Sequence, residues 1–172
     1  MRVLCVILAL LVVSCGPPPA KPLPTPVVSS CLSLDGMPDR NCTPGATDPR
    51  VTAASIAATI CTSGYTATVR PPVSVTENIK RERLRAYGIP QSEIAKYELD
   101  HLIPLELGGD PSAIANLWPE LWDGQAGAHR KDAVENAANK AVCSGKTPLA
   151  DAQHLMASDW RTLGHNLGVP GF

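Results

Sequence analysis

The chain has 172 residues, 44% of them hydrophobic, which is typical of a globular protein and sufficient for one domain with a buried core plus a leader. Its formal net charge is −1, so no global basic field draws in nucleic acid. The charge is uneven, however. Arg70, Lys80, Arg81, Arg83 and Arg85 fall in one stretch, offset only by Glu77 and Glu82.

Met1-Arg2 is a short positive start, and Val3 to Val13 is an apolar run, shorter than the roughly 20 residues that span a bilayer. Val12-Val13-Ser14-Cys15 ends that run and resembles the lipobox of bacterial lipoproteins. The expectation is a signal peptide over 1–14, lipidation of Cys15, an exported chain and anchorage to the cell envelope. Residues 15–28 read as an extended linker, with Pro17, Pro18, Pro19, Pro22, Pro24 and Pro26, which builds no core. The domain is expected over 29–172. It keeps four cysteines, Cys31, Cys42, Cys61 and Cys143, an even number that suggests two disulfides in an exported chain. Of the three connectivities, Cys31–Cys42 and Cys61–Cys143 are predicted, a short staple and a long one.

Residues 27–50 are rich in turn formers. Val51 to Cys61 reads as a helix, with Ile56 and Ile60 four apart, and Tyr65 to Val69 as a short alternating strand. Ser74-Val75-Thr76-Glu77 fits a capping box, opening a helix to Tyr87 with Gly88 as its stop. Its polar side carries Lys80, Arg81, Arg83 and Arg85, which is a solvated face or a phosphate-contact surface. Ser92 to Lys96 suggests one helical turn. Tyr97 to Ile103 is predicted as a strand, continued by Pro104 to Leu107 towards the Gly108-Gly109-Asp110 turn, and 111–118 leads back. His129 to Cys143 is a helix, with Val134, Ala137, Ala138, Ala141 and Val142 on its apolar stripe. Pro148 starts the last helix, whose Leu149, Ala152, Met156, Trp160 and Leu163 face the core; the tail from Gly164 is expected to fray. Trp118, Trp122 and Trp160 read as core residues, and His154 and His165 as residues without a chemical role.

The stretch 97–132 carries the chemistry. Asp100-His101 ends the strand, Asn116 follows the Gly-Gly turn, and His129, Arg130, Lys131 and Asp132 open the next helix. A histidine suits a general base because it titrates near neutrality, and a neighbouring carboxylate can hold a cation. Adjacent strand residues point to opposite faces, so Asp100 and His101 serve one site only at a bend or strand end. On an ideal helix, His129, Asp132 and Asn136 lie roughly opposite the apolar stripe.

Glu98-Leu99-Asp100-His101-Leu102-Ile103-Pro104-Leu105, then Gly108-Gly109 and Asn116-Leu117, then a helix with a histidine, resembles the HNH (His-Me finger, ββα-metal) endonucleases. The resemblance implies an α+β, disulfide-stabilised fold with a ββα-metal core and additional packed helices. It implies metal-dependent hydrolysis of phosphodiester bonds in DNA, or RNA, with low sequence specificity. His101 matches the general base, Asn116 the residue that orients it, and Asp100 the metal-binding carboxylate. His129 matches the helix ligand, with Asp132, Glu135 and Asn136 as alternatives. Arg130 and Lys131 are the expected contacts to the substrate phosphate. The cofactor is Mg²⁺, with Mn²⁺ or Zn²⁺ as alternatives. The partners are nucleic acid and a membrane reached through Cys15, and the chain is expected to be a monomer. The paired zinc cysteines of many HNH domains are absent, and the disulfides stand where that staple would. The rival is a catalytically silent envelope lipoprotein that uses the fold for binding.

Overall fold

A computed structural model of the chain describes residues 31–172. The predicted signal peptide, Cys15 and the proline-rich linker lie outside the described residues. The architecture is α+β, a small hairpin among helices. Strands β1 (Tyr97–His101) and β2 (Leu117–Leu121) pair antiparallel, with Glu98 opposite Glu120 and His101 opposite Leu117. Pro119 sits opposite Leu99 and is tolerated because both strands of a two-stranded sheet are edges. The helices are α1 (Tyr65–Val69), α2 (Val73–Ala86), α3 (Ala128–Cys143) and α4 (Leu149–Asn166). Among the described residues, no helix is long and apolar enough to cross a membrane.

The main core lies between α3 and α4. Val134, Ala138 and Val142 of α3 meet Met156, Trp160 and Leu163 of α4, all nearly inaccessible. These are the residues that recur at helical spacing in the sequence. A second, smaller cluster joins Leu102, Trp118, Tyr87 and Cys31. Trp118 and Trp160 are core residues as expected, but Trp122 is half-buried, its ring 5.5 Å from that of His129. Both predicted disulfides form, Cys31–Cys42 and Cys61–Cys143.

Asn116 ties the two ends of the connection between the strands together. Asn116 Oδ1 accepts from the Ile103 amide at 2.9 Å, and its Nδ2 donates to the carbonyls of Ile103 and Asp110 at 2.9 and 3.1 Å. Gly109 is where this loop packs tightest. A Cβ there would lie 1.8 Å from the Ile103 carbonyl oxygen and 2.9 Å from Asn116 Nδ2, so only glycine fits.

Several local expectations are corrected. Val51 to Cys61 is not a helix; it holds only a single 3₁₀ turn at Ile56–Ala58. Ser55 Oγ bonds the Arg50 carbonyl and accepts from the Thr52 amide, the local competition that draws serine out of helices. Tyr65–Val69 is a short helix instead of a strand, since the Ala67 and Arg70 amides bond back to Gly64 and Thr66. Five alternating residues are too few to separate the two periods. The helix α2 begins one residue before the expected capping box: the amides of Val75 and Thr76 bond the Pro72 carbonyl, and no side chain caps them. Arg83 leaves the polar face and is buried, bonding the Cys42 carbonyl and Thr43 Oγ1. Strand β1 stops at His101, and Leu105–Leu107 forms a 3₁₀ turn, because Asn116 takes the Ile103 backbone out of strand pairing. Helix α4 breaks at Asp159, whose Oδ1 accepts from the amides of Arg161 and Thr162, and continues past Gly164. The tail is docked rather than frayed. Val169 is buried, Phe172 lies edge-on to Trp160 at 5.6 Å, and Arg130 stacks over the Phe172 ring and bonds the Gly171 carbonyl.

Candidate functional site

The end of β1, the following loop and the first two turns of α3 enclose a cleft of about 230 Å³. Asp100 and His101 both line it, because the strand ends between them and the loop. His101 is 7% exposed, and its Nε2 lies 3.1 Å from the Pro111 carbonyl oxygen. A carbonyl can only accept, so Nε2 carries the proton and the neutral ring keeps its lone pair at Nδ1. Burial holds the His101 pKa below its ordinary value, against the opposing pull of Asp100, and this favours the neutral base. Asn116 does not touch the ring. It ties Ile103 to Asp110, next to the carbonyl that orients His101, and so acts through the backbone.

Six carboxylates, Glu98, Asp100, Glu106, Glu120, Asp132 and Glu135, gather around two cations, Lys131 and Arg70. Lys131 is 1% exposed and bonds Asp100, Glu135 and the His101 carbonyl. Burial alone would depress its pKa, but Asp100, Glu135 and Glu120 outweigh burial and keep it firmly charged. The same ammonium overcomes the burial of Asp100 and holds that carboxyl below its usual range. The others are pushed up, chiefly by burial and then by their neighbours: Glu98 to about 7, with Asp100 and Asp132 adding to the effect, and Glu135 to about 8. Burial also drives Glu120 well above its ordinary value.

Glu98, Asp100 and Glu120 each bring an oxygen within 4.8 Å of the others. Alternate residues of a strand share a face, which joins Glu98 to Asp100, and Glu120 stands opposite Glu98 in the hairpin register. Glu120 is fully buried, and among the described residues neither of its oxygens has a hydrogen-bond partner. Buried oxygens of this kind are rare unless something else satisfies them, and three hard oxygen donors suit a cation such as Mg²⁺.

The structure therefore brings together Asp100, His101 and, through the backbone, Asn116, but not all the expected partners. His129 lies outside the cleft. Its side chain is 62% exposed, stacks near Trp122 and faces Asp123 at 3.7 Å. The first turn of α3 points it away from the hairpin, and the alternatives Asp132, Glu135 and Asn136 line the cleft instead. Lys131 and Arg130 offer no open face to a phosphate, Lys131 being enclosed by carboxylates and Arg130 engaged with the C-terminal residues. Arg70 lines the cleft, and among the described residues its guanidinium makes no hydrogen bond or ion pair. His154 and His165 are exposed on α4. Glu98 and Glu120 were missed. Their signal was the alternation of Glu98 with Asp100, and an acid in the returning strand. No family model matches the chain, and no curated protein or solved structure matches it.

Proposed function

We propose that the chain is a metal-dependent phosphodiesterase with an HNH-type ββα-metal core made by β1, β2 and α3, acting on DNA or RNA. The observation that carries this reading is His101, a recessed neutral imidazole with its proton committed to Pro111, beside a carboxylate trio in which Glu120 has no hydrogen bond and only the Lys131 ammonium at 4.0 Å. Glu98, Asp100 and Glu120 are the residues that would hold the cation, and their all-oxygen set favours Mg²⁺ or Mn²⁺ over Zn²⁺. When bound, the cation neutralises charge on the phosphate and the leaving oxygen. His101 Nδ1 takes the proton from the attacking water, while the Pro111 carbonyl holds Nε2–H and stabilises the imidazolium that results. Arg70 pairs with a phosphate oxygen at the cleft. Lys131 fixes Asp100, and Asn116 is a positioning residue. The two disulfides fit a non-reducing compartment, which supports export; anchorage at Cys15 is proposed from the sequence, and palmitate labelling lost in Cys15→Ala would test it.

The test is plasmid cleavage by the oxidised protein with Mg²⁺ or Mn²⁺. His101→Ala should lose roughly 10²–10⁴-fold in rate while its melting transition persists. Wild-type rates in that variant would remove His101 as the base. One observation favours a second reading, a catalytically silent binding protein: Lys131 already supplies the carboxylates with a buried positive charge. That reading predicts no heat of Mn²⁺ binding in calorimetric titration.

A further inference from the structure

The cleft does not end at the carboxylates. A larger groove, about 690 Å³, adjoins it and shares Thr66, Glu106 and Asn136 with it. One wall is the segment from Ile60 to Thr66, and the other is the C-terminal half of α3; the Cys61–Cys143 disulfide joins the two. The cleft alone falls below the range of about 300–1,000 Å³ that holds small organic ligands, whereas the groove lies within it. Its lining includes Tyr65, which also packs against the main core, together with Ser63 and Lys140. Among the described residues, neither the Tyr65 hydroxyl nor Lys140 Nζ makes a hydrogen bond or ion pair, whereas Asn139 is committed to the Ile60 and Glu106 carbonyls.

We infer that this groove is a subsite for the unpaired nucleotide next to the scissile phosphate, so that single-stranded polynucleotide is the preferred substrate. The inference rests on the phosphodiesterase reading and deepens it. An aromatic face, a hydroxyl and a free ammonium are what a base, a sugar and a neighbouring phosphate require. The reacting groups are recessed, with His101 only 7% exposed. A base held in a duplex must leave its stack to enter such a groove, and an unpaired base need not.

The test compares a single-stranded oligonucleotide, as DNA and as RNA, with the duplex of the same sequence and with bis(p-nitrophenyl) phosphate, a diester that carries no neighbouring nucleotide. Wild type should favour the single strand in kcat/KM by about tenfold or more. Ser63→Trp, which fills the groove from an exposed position, and Lys140→Glu should each raise KM on the single strand by about tenfold with kcat little changed. Both should hydrolyse the small diester as wild type does. Equal cleavage of duplex and single strand, or variants with unaltered KM, would overturn the subsite. If wild type turns over no diester at all, the phosphodiesterase reading fails separately. Fluorescence anisotropy of the labelled single strand then decides the groove: binding lost in both variants supports it, and no binding by wild type overturns it.

Discussion

Helix α3 has two inward faces, and they are held by different physics. One presents Val134, Ala138 and Val142 to α4; the other presents Lys131 and Glu135, four residues apart, to the hairpin. The apolar face is stabilised by burial, which is non-directional and insensitive to pH. The polar face is stabilised only while each charge finds its partner, because removing one leaves the others stranded in a poor solvent. The contrast shows which part of this fold serves cohesion and which part balances buried charges against one another.

The sharpest way to break this comparison is to cut both faces. Trp160→Ala and Lys131→Met should each cost about 3–5 kcal/mol at pH 8. At pH 5 the tryptophan variant should cost the same. The lysine variant should cost much less, because carboxyls protonated in the folded state no longer need the ammonium. Denaturant unfolding at the two pH values reads this, and equal costs for Lys131→Met would show that packing dominates that face as well.

A smaller effect is expected in the unaltered protein. Glu98 and Glu135 titrate at about 7 and about 8 when folded, above the range near 4.3 of an unfolded chain. The folded state therefore binds more protons than the unfolded state between these values, and stability falls as pH rises from about 5 to 8. His101 works the other way, since its lowered pKa adds stability as pH rises towards its unfolded value. The raised carboxyls outnumber the one lowered imidazole, so the melting temperature should fall from pH 5 to pH 8. Mn²⁺ at about a hundred times its Kd should return about 2.7 kcal/mol at pH 8; an unchanged melting temperature with Mn²⁺ would favour the silent reading. The smallest effect belongs to His129→Ala, which should shift stability by less than about 0.5 kcal/mol and leave Mn²⁺ affinity unaltered. A lost affinity would return His129 to the site.

What could be read without coordinates was mostly local. The His101 and Asn116 positions follow from a hairpin whose two halves are close in sequence, and the Gly109 contact explains why that loop needs its glycine. The apolar stripes of α3 and α4 were legible because burial repeats at the helical period. Lys131 was misjudged because a lysine is almost never fully buried unless paired, and its partners come from β1 and β2 as well as α3. Glu120 was hidden for the same reason. The direction of His129 is likewise not legible in the sequence: it opens α3 beside Trp122, while the residues one turn later face the cleft.

The Cys61–Cys143 bond makes the intervening chain a covalent ring, with a sequence separation of 82. Arg70, both strands, Asn116, Lys131 and Glu135 all lie inside it. A protease that cuts the exposed Asp123-Gly124-Gln125 segment would therefore open the ring without parting its pieces. Until a thiol reductant splits it into two, the nicked protein should migrate as one species, with the hairpin and α3 tethered across the cut.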